Sequence, residues 1–176
     1  PHRFIIAAAL NQLQWVSLFE IGCGSGPNLR HIVKSFPGKQ VGGADINPLA
    51  LKVAQGFFKN IILRESSGDN ILMSDKATDI TLSDMYLIYI WPFQIKKHLL
   101  EMKRITRKHL VLYEYHSESW YQRWKLRIFS GRHSYNYKKL LEKLGFYDIR
   151  VFKVKTENDN ERHFRHLIIA SAPSRI

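Results

Sequence analysis

Apolar residues recur along this chain in two alternating rhythms, short unbroken runs and stretches with helical spacing, and the alternation predicts a β-α-β-α order. The runs Ser17 to Ile21, Gln40 to Ala44, Asn60 to Arg64, Asp79 to Leu82 and His109 to Tyr115 read as strands, followed by the pair Asp148 to Lys155 and His163 to Ala170. Between them the helical stretches are Pro27 to Ser35, Pro48 to Phe58, Pro92 to Thr106, and Tyr137 to Leu144 closed by Gly145. Proline opens the first two at a position where its missing N–H costs nothing. In the first, Leu29, Ile32, Val33 and Phe36 are expected on one face. Strands joined through helices must run mainly parallel, whereas the polar turn Thr156 to Arg162 predicts a hairpin that adds an antiparallel edge. The expected fold is α/β, a doubly wound, mostly parallel seven-stranded sheet with helices on both faces.

Composition narrows the setting. A chain of 176 residues with 45% hydrophobic content suits a single domain, 1–176, with a substantial core. The stretch Met85 to Phe93 is about half the ~20 residues of a membrane span and is interrupted by Trp91-Pro92, so no span is expected. One cysteine, Cys23, excludes an internal disulfide; with no zinc-like His/Cys spacing, a reducing cytoplasmic setting and no metal are expected. A start at Pro1 suggests that leading residues are missing. Residues 1–95 carry 8 basic and 7 acidic side chains, but residues 96–176 carry 19 and 8. The basic half suits an anionic small molecule, nucleic acid or anionic headgroups, or is a solvated face.

The candidate chemistry begins at Glu20-Ile21-Gly22-Cys23-Gly24-Ser25-Gly26, in the first β-α turn, where open α/β sheets bind ligands. Glycines there permit positive φ and let backbone N–H groups meet a ligand. The dinucleotide fingerprint would place its third glycine where Pro27 stands, and no Gly-Lys-Ser/Thr follows for a P-loop. The next strand ends on Asp45, 19 residues after Gly26, where a carboxylate can accept both hydroxyls of a ribose.

Leu18 to Gly26 together with Gly43-Ala44-Asp45-Ile46-Asn47 resembles the class I S-adenosylmethionine-dependent methyltransferases, as does Leu140 to Phe146 before the last strand pair. That resemblance implies strand order 3-2-1-4-5-7-6 with strand 7 antiparallel, and S-adenosyl-L-methionine as cofactor. It places Gly22, Cys23, Gly24, Ser25, Gly26 and Asn28 along the methionine part, Glu20 near the ammonium, Asp45 on the ribose, and Ile46 and Asn47 by the adenine. After strand three, Ser67 and Gly68 take the adenine-reading position, with Asp69 as alternative; after strand four, Ser83 and Asp84 are expected to line the crevice. A cationic cofactor without phosphates explains acids beside the turn.

Displacement at a sulfonium rests largely on positioning, with a base only where the acceptor must lose a proton. His116 and Tyr89 are the candidate catalytic residues, with Glu114 also at a strand end. The Pro-Pro-aromatic signature of nucleobase amino-methyltransferases is absent after strand four, and Cys23 lies inside the glycine turn, away from a C5-pyrimidine nucleophile. Residues 117–135 are expected to form a substrate-binding or lid insertion; as a helix they place Trp120, Trp124 and Arg127 near one face. The leading expectation is transfer to an anionic small-molecule acceptor, such as a sugar or a phosphorylated or nucleotide-linked metabolite. The alternatives are an RNA methyltransferase using the basic half and a non-catalytic cofactor-binding module; the oligomeric state is open.

Overall fold

Seven segments that alternate sides of one surface pair into a single sheet in the order β3-β2-β1-β4-β5-β7-β6. The computed structural model describes residues 2–58, 60–154 and 164–173. The strands are β1 (Ser17–Ile21), β2 (Gln40–Asp45), β3 (Ile62–Glu65), β4 (Thr78–Asp84), β5 (Thr106–Tyr115), β6 (Tyr147–Lys153) and β7 (Arg165–Ser171). All neighbouring pairs are parallel except β5 with β7 and β6 with β7, so β7 is the antiparallel strand. The central β4 is buried along almost its full length, as a parallel strand covered on both faces must be. The expected hairpin turn Thr156 to Arg162, with Lys155 and His163, lies outside the described residues.

The helices are α1 (His2–Asn11), α2 (Pro27–Ser35), α3 (Pro48–Gln55), α4 (Ile95–Ile105), α5 (Trp120–Ser130) and α6 (Tyr137–Lys143). The parity of each strand assigns its side chains to one of two cores. Leu18, Val111 and Tyr113 face a core shared with Ile6 and Leu10 of α1, Leu29 and Ile32 of α2 and Leu51 of α3. Phe19, Ile21, Leu110 and Leu112 face the other, closed by Leu99 and Met102 of α4 and by Tyr137 and Leu141 of α6. Each such aliphatic side chain removed from water contributes about 1.5–3 kcal/mol, enough for the two layers to hold the strand ends in register.

Several boundaries differ from the sequence expectation for local reasons. Helix α1 has no counterpart there: its run Ile5 to Leu10 has no capping signal before it, and Ile6, Ala9 and Leu10 are buried only because β1 and α2 lie beneath. In α2, Leu29 and Ile32 are buried but Val33 faces solvent, so the apolar stripe is narrower than expected. Helix α4 begins at Ile95, after the turn Trp91–Gln94, and β5 begins at Thr106 directly at its end. Thr106 makes that abrupt change possible, its buried hydroxyl bridging the Met102 carbonyl and Thr81 Oγ1.

Candidate functional site

The carboxyl ends of β1, β2 and β4 meet at the glycine turn. Gly22, Gly24 and Gly26 have φ of 76°, 53° and 78°, the left-handed region that side chains other than glycine avoid. The turn does not offer its N–H groups outward as expected. Gly22 and Cys23 donate to the Ala44 carbonyl at 2.8 and 3.0 Å, Gly26 donates to the Cys23 carbonyl, and Gly24 donates to Asp45 Oδ2 at 2.7 Å. A phosphate nest needs those donors free; here they tie β1 to β2 and leave the surroundings rich in acceptors.

Below the turn, β1 directs Glu20 into the α1/α2 face, where it is almost wholly buried. Asn28, on the first turn of α2, bridges two acids: its Nδ2 donates to Glu20 Oε1 at 2.7 Å and to Asp84 Oδ2 at 2.8 Å. His2 Nε2 lies 3.1 Å from the same Asp84 oxygen. Glu20 Oε2, Asp84 Oδ1 and Asn28 Oδ1 remain buried without a hydrogen-bond partner. Three orphaned acceptors in one cluster are costly unless a donor-rich group meets them. Burial, with Asp84 and Asp45 adding, pushes the Glu20 carboxyl up to about 8 against the Asn28 hydrogen bond and Arg3. A cation placed there would restore its charge. The chemistry of this set therefore fits a cationic amino or sulfonium group and opposes a phosphate.

Asp45 stands at the end of β2 with Oδ2 on the Gly24 N–H and Oδ1 on the Asn47 N–H at 2.9 Å. Asn47 in turn caps α3 through the N–H groups of Leu49 and Ala50. Ile46 is 68% exposed beside it and Ser25 is exposed on the turn. Cys23 is buried, and desolvation together with Glu20 raises its thiol far above the usual range, so it is a protonated packing residue.

The loop after β3 is fixed by a residue that sequence reasoning missed. Tyr86 packs between two glycines: a Cβ on Gly22 would lie 2.5 Å from Tyr86 Cβ, and one on Gly68 would lie 2.4 Å from its hydroxyl oxygen. That hydroxyl bonds the Ser67 carbonyl and sits 2.7 Å from His98 Nδ1. Ser67 Oγ donates to Asp69, whose carboxylate is held down to about 2 by hydrogen bonds from Lys97, at 2.7 Å, and Ser67. The only sequence signal for Tyr86 was the pair of glycines it needs, which also read as an ordinary turn and loop.

Two expected positions differ in surroundings. Ser83 does not line the crevice but is fully buried, its hydroxyl donating to Glu114 Oε1 at 2.6 Å. The same oxygen accepts the Tyr86 and Leu87 N–H groups at 3.0 Å, so Glu114 anchors the segment after β4. Burial raises Glu114 to about 8 despite these bonds. His116 is not brought to the glycine turn: it continues the parity of Leu110 and Leu112 toward the α4/α6 face, opposite Glu20. Its Nδ1 accepts the Tyr137 N–H at 3.2 Å, so the proton sits on Nε2. Burial and His166 lower it to about 4, leaving a neutral ring with no free lone pair for base catalysis. Tyr89, on a 3-10 turn after β4, is 66% exposed.

Residues 120–130 do form a helix, α5, capped by Ser119 on the Gln122 N–H. Only Leu126 is buried, against Tyr115 and Ile88; Trp120, Trp124 and Phe129 face solvent, and Arg127 stacks on Trp91 at 5.0 Å. Among the described residues no group of acids, histidines or cysteines could hold a metal, and no helix is long and apolar enough to cross a membrane.

A family model described as a methyltransferase domain matches residues 18–109. No curated protein matches the chain. Among solved structures, the chain is similar to one in the complex between the Haloferax volcanii Trm112 methyltransferase activator and a methyltransferase, at 16% identity over 98% of this chain and 89% of that one, TM-score 0.75. A Methanosarcina mazei SAM-dependent methyltransferase is 19% identical over 94% and 96%, TM-score 0.70. Haemonchus contortus phosphoethanolamine N-methyltransferase 2, in complex with phosphomonomethylethanolamine and S-adenosylhomocysteine, is 14% identical over 98% of this chain and 53% of its own, TM-score 0.76. At these identities the likeness is one of fold.

Proposed function

We propose, from the premise that this chain belongs to the methyltransferase domain family, that it methylates a small, anionic acceptor. Family and fold together make it a class I enzyme dependent on S-adenosylmethionine. When bound, that cofactor supplies an activated methyl group on a sulfonium. Glu20, Asn28 and Asp84 would hold its cationic part, Asp45 its ribose, and Ile46 with the Ser67–Asp69 loop its adenine. The observation that carries this assignment is the cluster of buried acceptor oxygens without partners at Glu20, Asn28 and Asp84.

What the residues contribute is binding and orientation. Burial keeps bulk water away from the acid cluster and Tyr86 locks two loops against each other. No side chain at the cradle is set up as a strong base, which suits an acceptor whose nucleophile needs no early proton loss. The exposed Tyr89 and the solvent-facing aromatics of α5 offer stacking surface for an acceptor, and the basic C-terminal half favours one with negative charge. We place residues 117–135 as the acceptor-facing insertion of a single domain, and the buried reduced Cys23 suits a cytoplasmic setting.

The test is transfer of a labelled methyl group across a panel of sugar phosphates, nucleotide sugars, small carboxylates and RNA. Turnover on one of the small anionic classes supports the reading; turnover on RNA alone overturns it, and tight cofactor binding without turnover on any class favours a non-catalytic module.

A further inference from the structure

A cavity of about 520 Å³ opens where β5, β6 and β7 meet α6, lined among others by His116, Gln122, Lys138, Lys153 and His166. It lies on the α4/α6 face, whereas the acid cluster lies on the α1/α2 face of the same sheet. Its volume falls within the range of small-ligand sites, about 300–1,000 Å³.

Hydrogen-bond donors line it. His116 is 5% exposed, and with Nδ1 accepting the Tyr137 N–H, its Nε2–H is a donor without a partner among the described residues. His166 lies 5.0 Å away ring to ring, with Nδ1 engaged by the Phe164 carbonyl. Among the described residues Lys138 and Lys153 make no ion pair, and Glu118 is the one acid on the lining. Ser117 and Gln122 satisfy each other at 2.8 Å. Ile149, Val151 and Phe164 add hydrocarbon to the lining, Ile149 and Val151 on the same strand face as Lys153. Donors and positive charge set beside hydrocarbon suit an amphiphilic anion.

We infer that this cavity binds a small organic phosphomonoester, its phosphate on Lys138, Lys153 and the His116 Nε2–H and its organic part against Ile149, Val151 and Phe164. The site is separate from the cofactor cradle and stands whether or not the acceptor proposed above is the right one. Two lysines and a neutral imidazole donor match the three terminal oxygens of a phosphomonoester, and charge-assisted bonds of this kind are the stronger ones. The site has a route to the cradle: His116, just past the end of β5, follows Glu114 by two residues, and Glu114 anchors the segment after β4.

Calorimetric titration of the whole chain with inorganic phosphate and with phenyl phosphate, at low salt, tests this. Saturable one-to-one binding is expected, at least threefold tighter for phenyl phosphate, with the imidazole NMR signals of His116 and His166 moving on saturation. The double substitution Lys138→Ala, Lys153→Ala should weaken both ligands at least tenfold while S-adenosylhomocysteine affinity stays unchanged, which also shows that the variant is folded. Absence of saturable binding, equal affinity in the double variant, unmoved imidazole signals, or no preference for the aromatic ester would each overturn the proposal.

Discussion

Glu20 is the residue whose environment is hardest to justify by stability alone. A carboxyl held up to about 8 by burial costs the fold stability as it ionises, so above neutrality the unliganded chain carries a cost that a bound cation relieves. Glu20→Gln should therefore weaken S-adenosylhomocysteine binding at least tenfold, yet raise the melting temperature of the unliganded protein at pH 8 by a few degrees, on the order of 1–2 kcal/mol. Differential scanning fluorimetry with and without ligand reads both; a variant that loses stability and keeps affinity would mean the carboxylate is structural. The spacing of Asp45 after the glycine turn made its place legible in the sequence. The bridge by Asn28 was not, because its partners Glu20 and Asp84 lie 8 and 56 residues away and meet only once β1 and β4 pair.

Between elements, the junction of the β1, β3 and β4 loops depends on Tyr86 filling the space left by Gly22 and Gly68. Gly68→Ala must displace the tyrosine and hold an alanine at φ 85°, which should cost about 2–4 kcal/mol. In a Tyr86→Ala background the backbone strain of about 1–2 kcal/mol should remain, together with the approach of the new Cβ to Ile21 Cγ2 at 2.7 Å, so Gly68→Ala should cost less than it does beside the tyrosine. Chemical denaturation of the two single variants and the double variant gives the coupling; additive costs would show that the tyrosine is not the wedge. The strand-helix alternation was legible because buried parallel strands read as continuous apolar runs, as in Val111 and Leu112 of β5. Which face His116 takes was not, since one residue of register moves a strand side chain to the opposite side.

Over the whole molecule, two buried acids set the pH response above neutrality. Glu20 and Glu114 both have folded values near 8 against an ordinary 4.5, so their favourable contribution is complete below about 4.5 and is lost as pH rises to 8. His98, His109, His116, His133 and His166 are held below 6.5, so they oppose folding only as pH falls below 6.5. Between pH 6.5 and 8.5 the acids decide, and the melting temperature should fall across that window; Glu20→Gln with Glu114→Gln should flatten it, and a rise in the wild type would refute the account. The basic C-terminal half predicts a second whole-molecule property. If its charge serves a small acceptor, RNA affinity should be weak with a shallow salt response, whereas a slope of about 0.7 per neutralised phosphate over several phosphates would mark an RNA surface.

The central claim is that the glycine turn and its acids form a cradle for a cationic, phosphate-free cofactor. Calorimetric titration of the protein with S-adenosylmethionine and with NAD, in the wild type and in Asp45→Ala, tests it most directly. The account predicts saturable one-to-one binding of S-adenosylmethionine, at least tenfold weaker in Asp45→Ala, and no saturable binding of NAD. Binding of NAD at equal or higher affinity, or S-adenosylmethionine affinity unchanged by Asp45→Ala, would contradict it.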